Sequence, residues 1–322
     1  MHPQPHPFSR TGRTAAASRI VGRPLSCALL LLSLIGVPAV RALDVFGYSA
    51  TTNERFGSGF PSSPVANPSF FLGSYDLSGI GWGAGNFGVT LISPQHFVTA
   101  AHVDPGSSVS FLSSTGVLRT YTVDSTFTIE HASGVPTDLL VGRLTSPIAA
   151  GDNVTYYSTV LLSSVSAYNG LTVAAFGQGQ RAGTNTIDTT GVTDLLPFGS
   201  PNGTFDNVVF VTDFDSVSGQ TQGQAGDSGS PSFVSVNGSL ALVGTHSAVN
   251  TSVSPNQTVD VLVPYYYSQI NARLALDGYT FGAFAAIPEP SELAALTGAG
   301  ALGVATYLRR RRRTSTTDRP AP

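Results

Sequence analysis

Apolar positions along most of this chain come in short bursts broken by turn residues. GVTLISPQHFVTA (88–100), TVAAFG (172–177), NVVFVTDF (207–214) and SLALVGTHSAV (239–249) are rich in Val, Thr, Phe and Ala, with Gly, Asn and Pro at close intervals. Such runs predict short strands joined by turns. Helical spacing emerges late, in YYYSQINARLAL (265–276), which predicts a short terminal helix. No internal repeat interrupts this organisation. Residues 43 to about 285 therefore read as an all-β unit: one sandwich or barrel, or two packed barrels.

The two ends differ from this middle. Arg10, Arg13, Arg19 and Arg23 precede CALLLLSLIGV (27–37), and VRA (40–42) supplies small residues for cleavage. Together these parts read as a secretory signal over 1–42. At the other end the apolar stretch Leu293–Leu308 runs into Arg309–Arg313, which predicts a separate C-terminal transmembrane helix stopped by a cytoplasmic charge block.

Charge and cysteine usage narrow the function classes. All 16 basic residues are arginine, and between Leu43 and Ala286 five of them stand against 16 Asp or Glu, a net charge near −11. A surface that acidic argues against nucleic acid as a partner. The single cysteine, Cys27, leaves with the signal, so the mature chain must be held together by packing.

GQAGDSGSP (223–231) asks for more than chain reversal. Serine-based acyl transfer needs an exposed hydroxyl, a histidine to take its proton, and a buried carboxylate that fixes the histidine's tautomer. It also needs backbone N–H groups aimed at the developing oxyanion. Ser228 lies between glycines that permit a tight turn, and the N–H groups of Gly226 and Ser228 can share one concavity. HFVTAAHV (96–103) puts His102 after an apolar run, and TDLLVGRL (137–144) puts Asp138 at the head of another. Asp104 and Asp124 are substitutes of the same type, but neither precedes a DLLV-like run, and His96 and His131 read as surface or turn residues.

TAAH, DLLVGRL and GDSGSP, in that order, resemble the three catalytic blocks of the trypsin-like (chymotrypsin-fold) serine endopeptidases. The similarity covers about residues 75–275. It implies two packed six-stranded antiparallel β-barrels with the site in the cleft between them. Carried over, Ser228 is the nucleophile, His102 the general base and then acid, Asp138 the orienting carboxylate, and Gly226 and Ser228 the oxyanion-hole donors. No metal or other cofactor is implied.

Departures from the family pattern carry their own expectations. No Ile-Val-Gly start follows the signal peptide, so Asp227, which in zymogen-type members meets a freed amine, needs another partner; Arg181 is the candidate. The position six residues before Ser228 is Gln222, which does not support basic specificity. His246, in LVGTHSAV, matches a histidine of glutamate-specific relatives, so Gln222 and His246 stand as specificity-pocket residues, with cleavage after acidic residues expected. Pro288-Glu289-Pro290, the apolar stretch and the arginine block resemble a PEP-CTERM sorting signal of Gram-negative bacteria, processed by an exosortase.

The organisation expected is thus a signal peptide (1–42), a protease domain (43–286), a sorting signal (287–313) and a polar tail (314–322). The function expected is an exported, monomeric serine endopeptidase of the cell envelope, matrix or medium. Its partners would be protein or peptide substrates, the export machinery and exosortase, and the membrane through the C-terminal helix. The alternative is a catalytically inactive β-rich binding protein on a protease fold.

Overall fold

Short strands with polar turns satisfy their backbone groups only by pairing with neighbours. In the computed structural model, which describes residues 42–131, 134–195 and 205–284, they do so in two principal sheets. The first holds β1 (Ile80–Trp82), β2 (Gly88–Leu91), β3 (His96–Thr99), β4 (Ser108–Leu112), β5 (Leu118–Glu130) and β6 (Pro136–Leu144). It closes as a six-stranded barrel in the order β1-β2-β3-β6-β5-β4, with every pair antiparallel.

The period-2 alternation of a strand explains how this barrel packs. Phe97 points into the barrel beside Val89, Leu91, Val109, Phe111 and Leu144. Its neighbour Val98 points the other way, into the large core that also holds Phe176, Phe233, Val261 and Leu262 of the second sheet. One strand thus serves two cores, which is why β2 and β3 are buried at every position.

The second sheet has nine strands: β7 (Ser158–Val160), β8 (Thr172–Phe176), β9 (Ala182–Thr186), β10 (Thr189–Leu195), β11 (Phe205–Phe214), β12 (Pro231–Val236), β13 (Ser239–Asn250), β14 (Asn256–Leu262) and β15 (Ala283–Phe284). Its main path runs β9-β8-β12-β13-β14-β11-β10, while β7 pairs in parallel with β13 and β15. This corrects the expectation of a second six-stranded antiparallel barrel. The two ends of the path, β9 and β10, are consecutive in sequence. Ile187 bonds to the head of β8 through the Leu171 carbonyl, and Asp188 bonds to β11 through the Val211 carbonyl. The chain itself crosses the opening that a ladder would otherwise close.

Helix α1 (Tyr267–Ala275) follows, burying Ile270 and Leu274 one turn apart, in agreement with the late helical spacing. Among the described residues no helix is long and apolar enough to cross a membrane. The expected signal, the PEP motif and the helix expected over 293–308 lie outside the described residues.

Candidate active site

Strand register brings the first two polar groups together. Thr99 of β3 pairs with Leu140 of β6. Because the strands are antiparallel, three residues forward from Thr99 and two back from Leu140 meet at the same end of the ladder. His102 and Asp138 occupy those positions. The His102 Nδ1 lies 2.7 Å from Asp138 Oδ2, and the His102 backbone N–H donates to Oδ1 at 2.8 Å. The carboxylate side chain is 1 % exposed and the imidazole 13 %, so the acid is sealed while the base reaches the surface.

Ser228 arrives from the other sheet, in the turn before β12. Gly88 donates its N–H to the Ser228 carbonyl at 3.2 Å, holding this turn against the barrel. Gly229 makes that approach possible. Its φ is +77°, and a Cβ there would stand 2.1 Å from Thr99 Oγ1 and 2.5 Å from the Gly88 carbonyl oxygen. The outcome is a separation of 2.8 Å between Ser228 Oγ and His102 Nε2. Asp138 accepts at Nδ1, so that nitrogen carries the proton and Nε2 is left to accept from the serine hydroxyl.

The N–H groups of Gly226 and Ser228 form no hydrogen bond with the described residues, and both residues line a cavity of about 390 Å³ shared with His102. Gly226 has φ +103°, a conformation that suits glycine. Asp227 fixes the loop between them. Its Oδ1 accepts the N–H groups of Gln178 at 2.7 Å and Leu43 at 3.2 Å, and its Oδ2 accepts that of Gln224 at 2.7 Å. Burial pushes this carboxyl up to about 6, against the His246 charge and the three backbone donors.

Arg181 is not the partner of Asp227. It pairs with Glu54 at 2.8 Å, donates to the Leu43 carbonyl at 3.2 Å and stacks over Tyr48. Three backbone N–H groups satisfy the aspartate, leaving the arginine to a carboxylate nearer the surface.

Two residues that the sequence reading passed over support the site. Ser247 Oγ donates a short hydrogen bond to Asp138 Oδ2. The β13–β14 register shifts between His246 and Ala248, so Ser247 is the extra residue of a bulge and is aimed out of the ladder. Asn207 of β11 accepts the Asp138 backbone N–H through Oδ1 at 2.7 Å. Serine and asparagine are common enough that neither carried a signal of its own.

The specificity candidates divide. His246 lines the cavity, but its Nδ1 makes a short ion pair with Asp260, and its Nε2 is buried without a hydrogen bond of normal geometry. Burial lowers its pKa, and Asp260, Asp227 and the Phe176 backbone carbonyl outweigh that and hold it above the ordinary histidine value. Gln222 is 2 % exposed, bonded to the Gln257 carbonyl at 3.1 Å, and absent from the cavity wall. It is therefore packing rather than pocket, a correction to its expected place.

The other candidates lie elsewhere. Asp104 Oδ1 accepts from Gly106, Asp124 pairs with Arg143, and His131 pairs with Asp206. His96, expected at the surface or in a turn, is fully buried: Ser93 meets its Nδ1 at 2.8 Å and Asp277 its Nε2 at 3.0 Å. Among the described residues no three His, Cys, Asp or Glu side chains converge as metal ligands.

The model of the family described as Trypsin matches residues 82–270, from the end of β1 into α1. No curated protein matches the chain.

Proposed function

The chain belongs to the trypsin family, and from that premise we propose that it is a serine endopeptidase whose catalytic residues are His102, Asp138 and Ser228. The observation that carries the reading is one imidazole held between Asp138 at 2.7 Å and Ser228 at 2.8 Å. As Ser228 Oγ attacks the substrate carbonyl, its proton passes to His102 Nε2. The Asp138 carboxylate, already bonded to Nδ1, balances the imidazolium that forms. The N–H groups of Gly226 and Ser228 meet the oxyanion; each such donor is worth roughly 3–4 kcal/mol of barrier in a dry, preorganised site. His102 then returns its proton to the leaving amine. An acyl group remains on Ser228 until a water, activated by the same imidazole, removes it.

Hydrolysis of an unstructured protein tests this reading. Peptide-bond cleavage that disappears in Ser228→Ala is the expected result. Turnover of esters alone, or of nothing by the folded chain, would overturn it, the latter in favour of a binding protein on a protease fold.

One finer part of the proposal rests on sequence. Export and exosortase handling follow from the resemblance of residues 1–42 and 287–313 to a secretory signal and a PEP-CTERM signal. Recovery of the chain uncut from the cytoplasm of a producing Gram-negative cell would count against them. The acidic preference expected from His246 is not part of the proposal. That side chain is already engaged with Asp260, so a substrate carboxylate would have to compete for it.

A further inference from the structure

Beyond Ser228 the cavity runs between the Gln224–Gly226 backbone on one side and Ser247, Ala248 and Val249 of β13 on the other, and Thr258 of β14 completes its wall. A peptide with its carbonyl over Ser228 turns the side chain before the scissile bond into this space. How far that side chain can reach is set by the far wall. Val249 and Thr258 are cross-strand partners. Both close on Gly223, where a Cβ would meet Val249 Cγ1 at 2.9 Å and Thr258 Cγ2 at 3.0 Å. Not even one more carbon fits between them and the Gly223 backbone. Thr258 Oγ1 also accepts the Gly223 N–H at 2.8 Å, which pins the threonine in that position. Gln222, one residue further back, is buried and does not line the cavity.

Charge in the wall is already spent. Asp227 is saturated by three backbone N–H groups, and His246 is paired with Asp260. Among the described residues lining the cavity, no free ion awaits an arginine, a lysine or a carboxylate. Toward Gly223 the lining side chains are uncharged, among them the methyl groups of Ala225, Ala248 and Val249, with Thr258 at the end.

Resting on the reading of Ser228 as nucleophile, we propose that Val249 and Thr258 restrict the enzyme to substrates with a small aliphatic residue, alanine or valine, before the scissile bond. A slot closed this early rewards burial of a few methyl groups and rejects larger side chains by overlap. A difference of one or two carbons in such a pocket discriminates by roughly 10–200-fold.

The test is a set of chromogenic peptides that differ only at that residue, assayed with protein made from the full-length chain. Alanine and valine substrates should exceed those with Phe, Arg or Glu by at least about tenfold in kcat/KM. In Val249→Gly the order should shift toward Phe and Leu, with alanine losing its lead. Preference of the parent for Phe or Arg overturns the inference, and preference for Glu overturns it in favour of His246. A fluorophosphonate probe on the same samples separates the two levels of the argument. Labelled Ser228 with the wrong preference removes only the specificity proposal. Folded protein without labelling removes the nucleophile, and the specificity proposal with it.

Discussion

Replacing Ser247 by alanine isolates a contact that only the fold reveals. Asp138 Oδ1 receives the His102 backbone N–H, while Oδ2 receives both His102 Nδ1 and the Ser247 hydroxyl. Ser247→Ala leaves the buried carboxylate, 1 % exposed, with one donor fewer. A hydrogen bond to a charged, buried acceptor contributes about 1.5–3 kcal/mol. If that is expressed as the imidazolium forms, kcat should fall by roughly 10–150-fold, since 1.4 kcal/mol is a factor of ten. The Ser247 hydroxyl is engaged with Asp138, and alanine leaves the rest of this residue's share of the cavity wall in place, so KM should change little. Steady-state kinetics on the best peptide substrate, with thermal unfolding in parallel, reads both quantities. Ser247→Thr, which keeps the hydroxyl, should restore most of the rate. An unchanged kcat in Ser247→Ala, or a loss that tracks unfolding and is not rescued by threonine, would refute the positioning role.

Gly229→Ala should abolish turnover and lower stability. The left-handed conformation alone costs about 1–3 kcal/mol, and the added Cβ would overlap Thr99 Oγ1 and the Gly88 carbonyl; near-parental activity would contradict the close approach of the Ser228 turn to the barrel. Asp227 gives a pH signature. Its folded pKa, about 6, lies above the usual carboxylate value of 3.8, so its stabilising contribution is complete below about pH 4 and is lost as pH rises through 6. Urea unfolding should show the parent-minus-Asp227→Asn difference falling by about 3 kcal/mol across that interval; a difference that rises with pH would reverse the assignment.

What the sequence made legible, and what it hid, divides along one physical line. His102, Asp138 and Ser228 each sit at the end of a local strand pattern, so block by block the chain announced them. The contacts that support them are made by pairing over long distances. Ser247 becomes a donor to Asp138 only because β13 bulges against β14, and a bulge is a property of two strands. The partners of Asp227 are backbone N–H groups, which have no residue type to read, whereas Arg181 is visible in the sequence but pairs with Glu54. Gln222 stands at the expected spacing before Ser228, yet it is buried and bonded to the Gln257 carbonyl and the Thr258 hydroxyl of a distant strand. His96 reads as a surface or turn residue until Asp277, after helix α1, folds back onto it. The second sheet eluded a strand count because its open ends are joined by the chain through Ile187 and Asp188.

The central claim is that Ser228 is a nucleophile activated by His102. Treatment of the protein made from the full-length chain with a fluorophosphonate probe, beside Ser228→Ala and His102→Ala, tests it most directly. Covalent labelling of the parent at Ser228, lost in the first variant and suppressed in the second, is the predicted result. A folded parent that stays unlabelled, or a His102→Ala variant that labels as fast as the parent, would contradict it.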